Sequence, residues 1–345
     1  MTSQRIFYAA LAFSGSVLAG PCDIYASGNT PCVAAHATTR ALYDFYKNAL
    51  YQVQRASDSK TQDILPLTAG GVADADSQDK FCAGTSCVIS MIYDQTGNGN
   101  NLFAAPSGSA TPWQQEPDKL ADATAAEINL DGKKAYGVYI VPGVGYRVTD
   151  TKNIVTGNSS ESMYWVVDGT HYSEDCCFDY GNVEVNVKDT GSGAMETLYF
   201  GTCDVHGEKS GDGPWVAADL EDGVWTSTDQ PSPSIDFRFF HSMLKGNGDE
   251  HALRGGDATN GTLQTYYAGR RPDQYIGRMN LTGAIVLGVG GDNSNRAAGT
   301  FYEGAMTRGY PSDETEDSVQ ANIVAAKYSQ RPHMRETKRR NLHNV

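Results

Sequence analysis

The run SMYWVV, residues 162–167, is the clearest of several short segments rich in β-branched and aromatic side chains, the residue types that favour strands. The others are Glu196–Phe200, Trp215–Trp225, Ser234–Leu244, Thr262–Tyr267 and Gly283–Val289. The chain also contains 37 glycines and 19 tyrosines among its 345 residues, a composition typical of strands joined by many turns. Short strands at regular intervals predict an all-β fold, either a sandwich or a barrel.

Two further segments narrow this choice. The turn cluster YDQTGNGNNL, residues 93–102, resembles the Asp-x-Ser/Thr-Gly-x-Gly-Asn turn of concanavalin-like sandwiches. The run GTFYEGAMTRGY, residues 299–310, resembles the closing strand of the same folds. Together they favour a concanavalin-like β-sandwich, a jelly roll, with a few short helices.

Two segments predict helices. Ala35–Tyr46 has apolar residues at helical spacing. Ser312–Tyr328 follows Pro311 and opens with Ser312 and a run of acidic residues, which suits the N-terminus of a helix dipole.

The first residues predict the compartment. Arg5 precedes a short apolar run that ends in small residues at Ala19, so residues 1–19 are predicted to be a signal peptide of a secreted, extracellular protein. No later segment is apolar over the ~18 residues that a membrane span needs. The net charge of −14 argues against a nucleic-acid partner. The triplets at Asn158, Asn260 and Asn280 are potential N-glycosylation sites.

Seven cysteines in an oxidising compartment suggest disulfides between neighbours. Cys22 and Cys32 bracket one turn, Cys82 and Cys87 bracket another, Cys176 and Cys177 are adjacent, and Cys203 is left over. Connectivity cannot be deduced from spacing alone. A zinc site near His171 is the competing interpretation, but no second ligand pair accompanies it.

The strongest candidate for chemistry is GPWVAADLEDGVW, residues 213–225. If residues 215–221 form one strand, Asp219 and Glu221 share a face with Trp215, as in a sugar-binding cleft. The alternative is a solvent-exposed strand face that ends in an Asp-Gly turn.

The second candidate is GVGGDNSN, residues 288–295, in which Asp292 follows an apolar strand. A tight turn or a calcium loop would have the same pattern. Two carboxyl groups from different strands are what glycoside hydrolysis needs, but the sequence does not give their separation. The chain has neither a GxSxG nor an HExxH motif.

A series of motifs, in order along the chain, resembles the catalytic domains of fungal α-L-arabinofuranosidase B, family 54 of the glycoside hydrolases. They extend from about residue 21 to 328 and include GPCDIY, TPCVAAHATTRALY, LYQVQRASD, TAGGVADA, IYDQTGNGN, DGTHY, CCFDYGN, GPWVAADLEDG, LGVGGDNSN, GTFYEG and SVQANIVAAKY.

The resemblance implies a secreted retaining enzyme that releases terminal α-L-arabinofuranosyl groups from arabinan and arabinoxylan. By motif, Glu221 is then the nucleophile and Asp292 the acid/base. The other implied substrate-binding residues are Cys176, Cys177, His206, Asp219, Asp222, Gly223 and Gly291. The adjacent cysteines are implied to form a disulfide against the furanose ring. We expect no cofactor, no metal and a monomer whose partners are arabinose-containing cell-wall polysaccharides.

Three departures from the family pattern stand out. His206 replaces a usual tryptophan, and DLEDG replaces DLENG, so that Asp222 adds a negative charge beside Glu221. The family's C-terminal arabinose-binding domain is not expected. The expected organisation is a signal peptide over residues 1–19, a catalytic sandwich over 20–328 and a basic, disordered tail over 329–345. The alternatives are an arabinose-binding lectin on the same fold and an arabinofuranosidase with β-xylosidase side activity.

Overall fold

The computed structural model describes residues 19–330. Its helices are α1 Pro21–Ser27, α2 Ala75–Phe81 and α3 Asp313–Ala325, with a 3-10 helix at Asp273–Tyr275. Its strands are β1 Cys32–Ala37, β2 Tyr51–Arg55, β3 Thr61–Ile64, β4 Cys87–Ile92, β5 Phe103–Ala104, β6 Glu127–Leu130, β7 Lys133–Tyr136, β8 Val138–Ile140, β9 Tyr146–Val148, β10 Glu161–Asp168, β11 Asp179–Val183, β12 Glu196–Gly201, β13 Val205–His206, β14 Trp215–Asp219, β15 Val224–Trp225, β16 Phe239–Asn247, β17 Glu250–Asp257, β18 Gln264–Arg270, β19 Ala284–Leu287, β20 Gly299–Arg308 and β21 Tyr328–Ser329. The predicted signal peptide, except Ala19, and residues 331–345 of the predicted tail lie outside the described residues.

Two large sheets pack face to face. A seven-stranded sheet has the order β1-β20-β10-β16-β17-β18, with β8 also paired to β20. An eight-stranded sheet has the order β13-β15-β14-β12-β11-β19-β9-β5. Between them lies the main core, to which β10 contributes Met163, Trp165 and Val167. The predicted β-sandwich is therefore confirmed.

The strand β10 is buried along its whole length because it has a partner layer on each side. Trp165 stacks on Phe178, the residue that precedes β11 of the opposite sheet, with ring centroids 5.1 Å apart. Tyr164 and Val166 point the other way, into a second core that α3 covers with Val319. Two buried faces explain why this segment is a continuous apolar run instead of an alternating one.

A buried ion pair joins the second core to the seven-stranded sheet. Arg40 donates to Glu303 of β20 with Nε–Oε2 at 2.5 Å and Nη2–Oε1 at 2.6 Å. The Tyr328 hydroxyl donates to the same carboxylate at 2.6 Å, so the charge is solvated by protein groups. This set of bonds stabilises the packing of β20 against the segments at both ends of the described chain.

The predicted helix at residues 312–328 is confirmed over Asp313–Ala325, with Ser312 as its N-cap. The predicted helix at Ala35–Tyr46 is wrong. Residues 32–37 form β1, which pairs antiparallel with β20 and is buried at every position, and no helix follows it before residue 47. The ladder with β20 and the burial outweigh the helical spacing of the apolar residues in this segment.

Three disulfides are present, Cys22–Cys32, Cys82–Cys87 and Cys176–Cys177, and Cys203 is a half-buried free thiol. The asparagines of the three potential glycosylation triplets are exposed. Among the described helices, none has the length and apolarity required to cross a membrane.

Candidate active site

A pocket of about 190 Å³ opens at one end of the eight-stranded sheet. It is lined by Cys176, Cys177, Asp189, Met195, Asp219, Glu221, Asp222, Gly223, Val224, Gly290, Gly291, Asp292 and Ser294. Both candidate carboxylate motifs therefore meet in one place, although the turn after β14 and the loop after β19 are far apart in the chain. Of the residues implied by the resemblance, His206 alone does not line this pocket.

The Glu221 side chain reaches the pocket from a turn, which corrects the expectation of one strand over residues 215–221. The strand β14 ends at Asp219, and Glu221 and Asp222 have φ values of 60° and 52°. This left-handed backbone is uncommon for residues other than glycine, and strained backbone of this kind tends to cluster at functional sites. The Tyr275 hydroxyl fixes the turn by donating to the Glu221 carbonyl at 2.8 Å.

The Glu221 carboxylate is poorly solvated. Its Oε1 accepts the Thr190 backbone N–H at 2.9 Å, while Oε2 has no hydrogen-bond partner among the described residues. Burial is the main reason that the pKa of Glu221 rises to about 7, and the neighbouring Asp292 and Asp222 charges raise it further. Asp222, one of the departures from the family pattern, thus contributes to the raised pKa of Glu221.

Asp292 lies in the loop after β19, and its Oδ1 accepts the Ser294 N–H at 3.0 Å and also the Ser294 hydroxyl. The preceding carbonyl, of Gly291, accepts a hydrogen bond of 2.6 Å from Arg147 Nη1. A Cβ at Gly291 would lie 1.9 Å from Glu184 Oε2, so a larger residue there would require the buried Glu184 side chain to move. A buried guanidinium and a close backbone approach therefore fix the position of Asp292.

Arg147 is the cation beneath the acidic pocket. Burial lowers the pKa of Arg147 to about 10, and the charges of Asp292 and Glu221 oppose that decrease. It remains protonated at neutral pH and compensates part of the negative charge above it.

Asp219, which lines the pocket, forms a second acidic pair with Asp179 of β11. Burial raises the pKa of Asp219 to about 7, and burial followed by the adjacent Asp219 charge raises the pKa of Asp179 well above its usual range. Two buried neighbouring carboxyl groups cannot both ionise cheaply, so each raises the free energy needed to ionise the other.

The sulfur atoms of Cys176 and Cys177 and a carboxylate oxygen of Asp219 lie within 4.8 Å of one another. Thiolates at this spacing could bind a metal ion, but the two sulfurs are joined in a disulfide and lack the negative charge that a soft metal requires. The group instead presents a sulfur surface beside a carboxylate, with Cys177 Sγ 3.7 Å from Asp219 Oδ2.

His206 is exposed on β13, and its ring packs on Trp225 with centroids 5.0 Å apart. Five residues important to the site were missed from the sequence: Arg147, Asp179, Asp189, Thr190 and Tyr275. None belongs to either carboxylate motif, and only the sheet pairing and the loop packing bring them close.

A protein family, several relatives and several solved structures are similar to this chain. Residues 21–329 match the family model described as alpha-L-arabinofuranosidase B, catalytic. Alpha-L-arabinofuranosidase B of Aspergillus kawachii is 55% identical over 326 residues, which cover 92% of this chain and 65% of the relative. Alpha-L-arabinofuranosidase B of Emericella nidulans is 56% identical over 327 residues, 93% of this chain and 64% of the relative. The chain thus spans slightly less than two thirds of the length of these relatives.

Two solved structures are also similar. A Glu-to-Gln mutant of a glycoside hydrolase family 54 α-L-arabinofuranosidase, soaked with 4-nitrophenyl α-L-arabinofuranoside, has a TM-score of 0.86 at 52% identity. An arabinofuranosidase complexed with arabinofuranosyl-α-1,2-xylobiose has a TM-score of 0.87 at 54% identity. In both comparisons the aligned part covers 90% of this chain and 66% of the chain in the solved structure.

Proposed function

Because the chain belongs to the family of α-L-arabinofuranosidase B catalytic domains, we propose that it is a retaining glycoside hydrolase that releases terminal α-L-arabinofuranosyl groups. The observation that carries the proposal is the meeting of Glu221 and Asp292, from two distant loops, in one pocket. Two carboxyl groups beside a sugar-sized pocket are the minimum that this chemistry requires.

In the proposed reaction, Asp292 protonates the glycosidic oxygen while the Glu221 carboxylate attacks the anomeric carbon. The bond to the leaving group breaks and a glycosyl–Glu221 ester forms. Asp292, now ionised, takes a proton from water as the water attacks the anomeric carbon, which releases arabinose and restores both side chains.

The hydrogen bonds around the pocket support this division of roles. The Thr190 N–H holds one oxygen of Glu221, and Oε2 makes no hydrogen bond to the described residues that would compete with its attack on the sugar. The Ser294 N–H fixes one oxygen of Asp292 at 3.0 Å, so that its carboxyl plane is set before substrate arrives.

The remaining pocket residues would hold the sugar. Asp219 and the Gly291 backbone would bind hydroxyl groups, with Asp222 and Gly223 beside them, and the Cys176–Cys177 disulfide would form the apolar wall against the ring. His206 lies on the neighbouring strand β13, so its contribution would be to the rim and not to the pocket wall.

The proposed substrates are arabinan and arabinoxylan, and the relative bound to arabinofuranosyl-α-1,2-xylobiose supports a substrate with a xylose backbone. We further propose that residues 20–328 form the catalytic unit and that the chain is secreted after removal of residues 1–19. An oxidising compartment is consistent with the three disulfides.

Hydrolysis of 4-nitrophenyl α-L-arabinofuranoside tests the proposal. Glu221→Gln and Asp292→Asn are each expected to lower kcat by about 10³-fold or more, whereas the rim variant His206→Ala keeps most of the activity. NMR of the first product tests whether Glu221 is a nucleophile or a general base. A nucleophile gives arabinose with the α configuration, whereas a general base would give the β configuration. Arabinose binding without turnover would favour the lectin instead, and turnover of an aryl β-xyloside would reveal a side activity.

A further inference from the structure

The most exposed large apolar side chain of the described residues is Trp113, with 76% of its surface accessible. A single exposed apolar residue is common and carries no function by itself. The position of this one is unusual, because its loop packs on the loop of the proposed acid/base Asp292.

The loop of residues 106–118 approaches the Asp292 backbone so closely that a side chain at position 108 would not fit between them. The Ala110 N–H donates to the Asp292 carbonyl at 3.1 Å, and a Cβ on Gly108 would lie 2.1 Å from the same oxygen. On its other side, the Ser109 N–H donates to the Val187 carbonyl at 3.0 Å. The first half of the loop is therefore fixed directly to the backbone of the pocket.

The second half is fixed through buried side chains. Asn293 donates to Thr111 Oγ1 at 2.9 Å, and Asn295 donates to Gln114 Oε1 at 3.3 Å and to Asp118 Oδ1 at 2.8 Å. Trp113 lies between the two anchored positions, 111 and 114, so its backbone cannot move far from the Asp292 loop. Two residues span at most about 7 Å, which bounds the separation of the Trp113 and Thr111 α-carbons.

The proposed reaction determines on which side of the pocket the leaving group must lie. The acid must lie beside the oxygen of the leaving group, while the nucleophile attacks from the opposite face of the sugar. The arabinose thus occupies the pocket with Glu221, and the rest of the substrate leaves past Asp292. Trp113, on the loop that packs against the Asp292 loop and with 76% of its surface open to water, is therefore on the side of the pocket toward which the leaving group extends.

We propose that Trp113 is the platform of a leaving-group subsite, on which the pyranose ring that carries the scissile arabinose stacks. The inference rests on the proposed function and adds to it a residue that selects polymeric substrates over simple arabinosides. A pyranose presents C–H groups on its faces, and covering an exposed indole with such a face removes apolar area of both from water.

The test compares two substrates that share the arabinose and differ in the leaving group. Arabinofuranosyl-xylobiose has a pyranose to stack, and methyl α-L-arabinofuranoside has none. Trp113→Ala should lower kcat/KM for the first by about 10-fold and for the second by less than twofold. Trp113→Phe should recover most of the loss.

Phe45→Ala is the matched control, since Phe45 is 66% exposed and makes its aromatic contact with Tyr43, away from the pocket. It should leave both substrates unchanged. An equal loss on both substrates for Trp113→Ala, or no loss on either, would overturn the subsite while the proposed function stands. A wild-type chain that hydrolyses neither substrate would overturn both.

Discussion

Gly108 is the position at which a single methyl group should disturb the proposed acid/base without touching the pocket. A Cβ at this residue would lie 2.1 Å from the Asp292 carbonyl oxygen and 2.7 Å from the Val187 carbonyl oxygen. Ordinary contact for such atoms begins near 3.4 Å, so in Gly108→Ala the two loops must separate by more than 1 Å. Backbone surrounds the new atom, and no flexible side chain can make room for it.

The movement has to be shared between the two loops. The Asp292 side is held by Arg147 through the Gly291 carbonyl, and the Gly108 side by its hydrogen bond from Gly108 N–H to Thr111 Oγ1 at 3.1 Å. If both loops move equally, the Asp292 backbone moves by roughly half an ångström. A misplacement of about 1 Å can cost 10²-fold in rate, so we expect kcat to fall by about 10- to 100-fold.

The loss should depend on the leaving group. A misplaced acid matters most when the departing oxygen needs a proton, so Gly108→Ala should reduce hydrolysis of methyl α-L-arabinofuranoside more than that of 4-nitrophenyl α-L-arabinofuranoside. Gly269→Ala is the control, because its Cβ would meet only the end of the Tyr267 side chain, at 3.0 Å. A Gly108→Ala enzyme with wild-type melting temperature and kcat within twofold for both substrates would refute the argument.

Two further perturbations test the charges of the fold. Asp222→Asn removes one of the negative charges that raise the pKa of Glu221 to about 7. Since Glu221 must be ionised to attack, the acidic limb of the kcat/KM pH profile should move to lower pH by a few tenths of a unit. Adding 0.5 M salt should reduce the difference between variant and wild type. An acidic limb at the same pH in both enzymes would contradict this prediction. Glu303→Gln leaves the buried Arg40 without its counter-ion and should cost about 3–5 kcal/mol of folding stability, or roughly 5–8 °C in Tm, whereas Glu208→Gln at an exposed site should cost almost nothing. Equal melting temperatures for the two glutamine variants would contradict that reasoning.

Much of the sandwich could be predicted because its strands are locally distinctive. SMYWVV is apolar on both faces and forms β10, and Ser312 with the acids after it begins α3. The segment at residues 35–46 misled because its apolar residues have helical spacing, whereas β1 is selected by its pairing with β20. Pairing between segments separated by more than 250 residues leaves no mark on local spacing.

Some residues of the candidate site could be predicted from the sequence, and others could not. Glu221 and Asp292 stand out because each lies in a motif with glycines that a turn requires. The expected strand alternation placed Glu221 on the correct side for the wrong reason, since a left-handed turn after Asp219 brings it there. Arg147 and Asp179 could not have been found, because their importance comes only from contacts made across the eight-stranded sheet.

The negative charge of the pocket affects both the stability of the fold and the proposed reaction. Asp219, Glu221, Asp222 and Asp292 line the pocket, and the buried guanidinium of Arg147 compensates only part of their negative charge. Burial, and then the repulsion between these acids, raise the pKa of Asp219 and of Glu221 to about 7, so keeping both groups ionised destabilises the folded chain. In the proposed reaction, positive charge develops on the furanose ring at the transition state, in the place toward which these carboxylates point. The same field that opposes folding then stabilises that charge, and it does so without reorganisation because Thr190, Ser294 and Arg147 already hold the carboxylates and their loops in place.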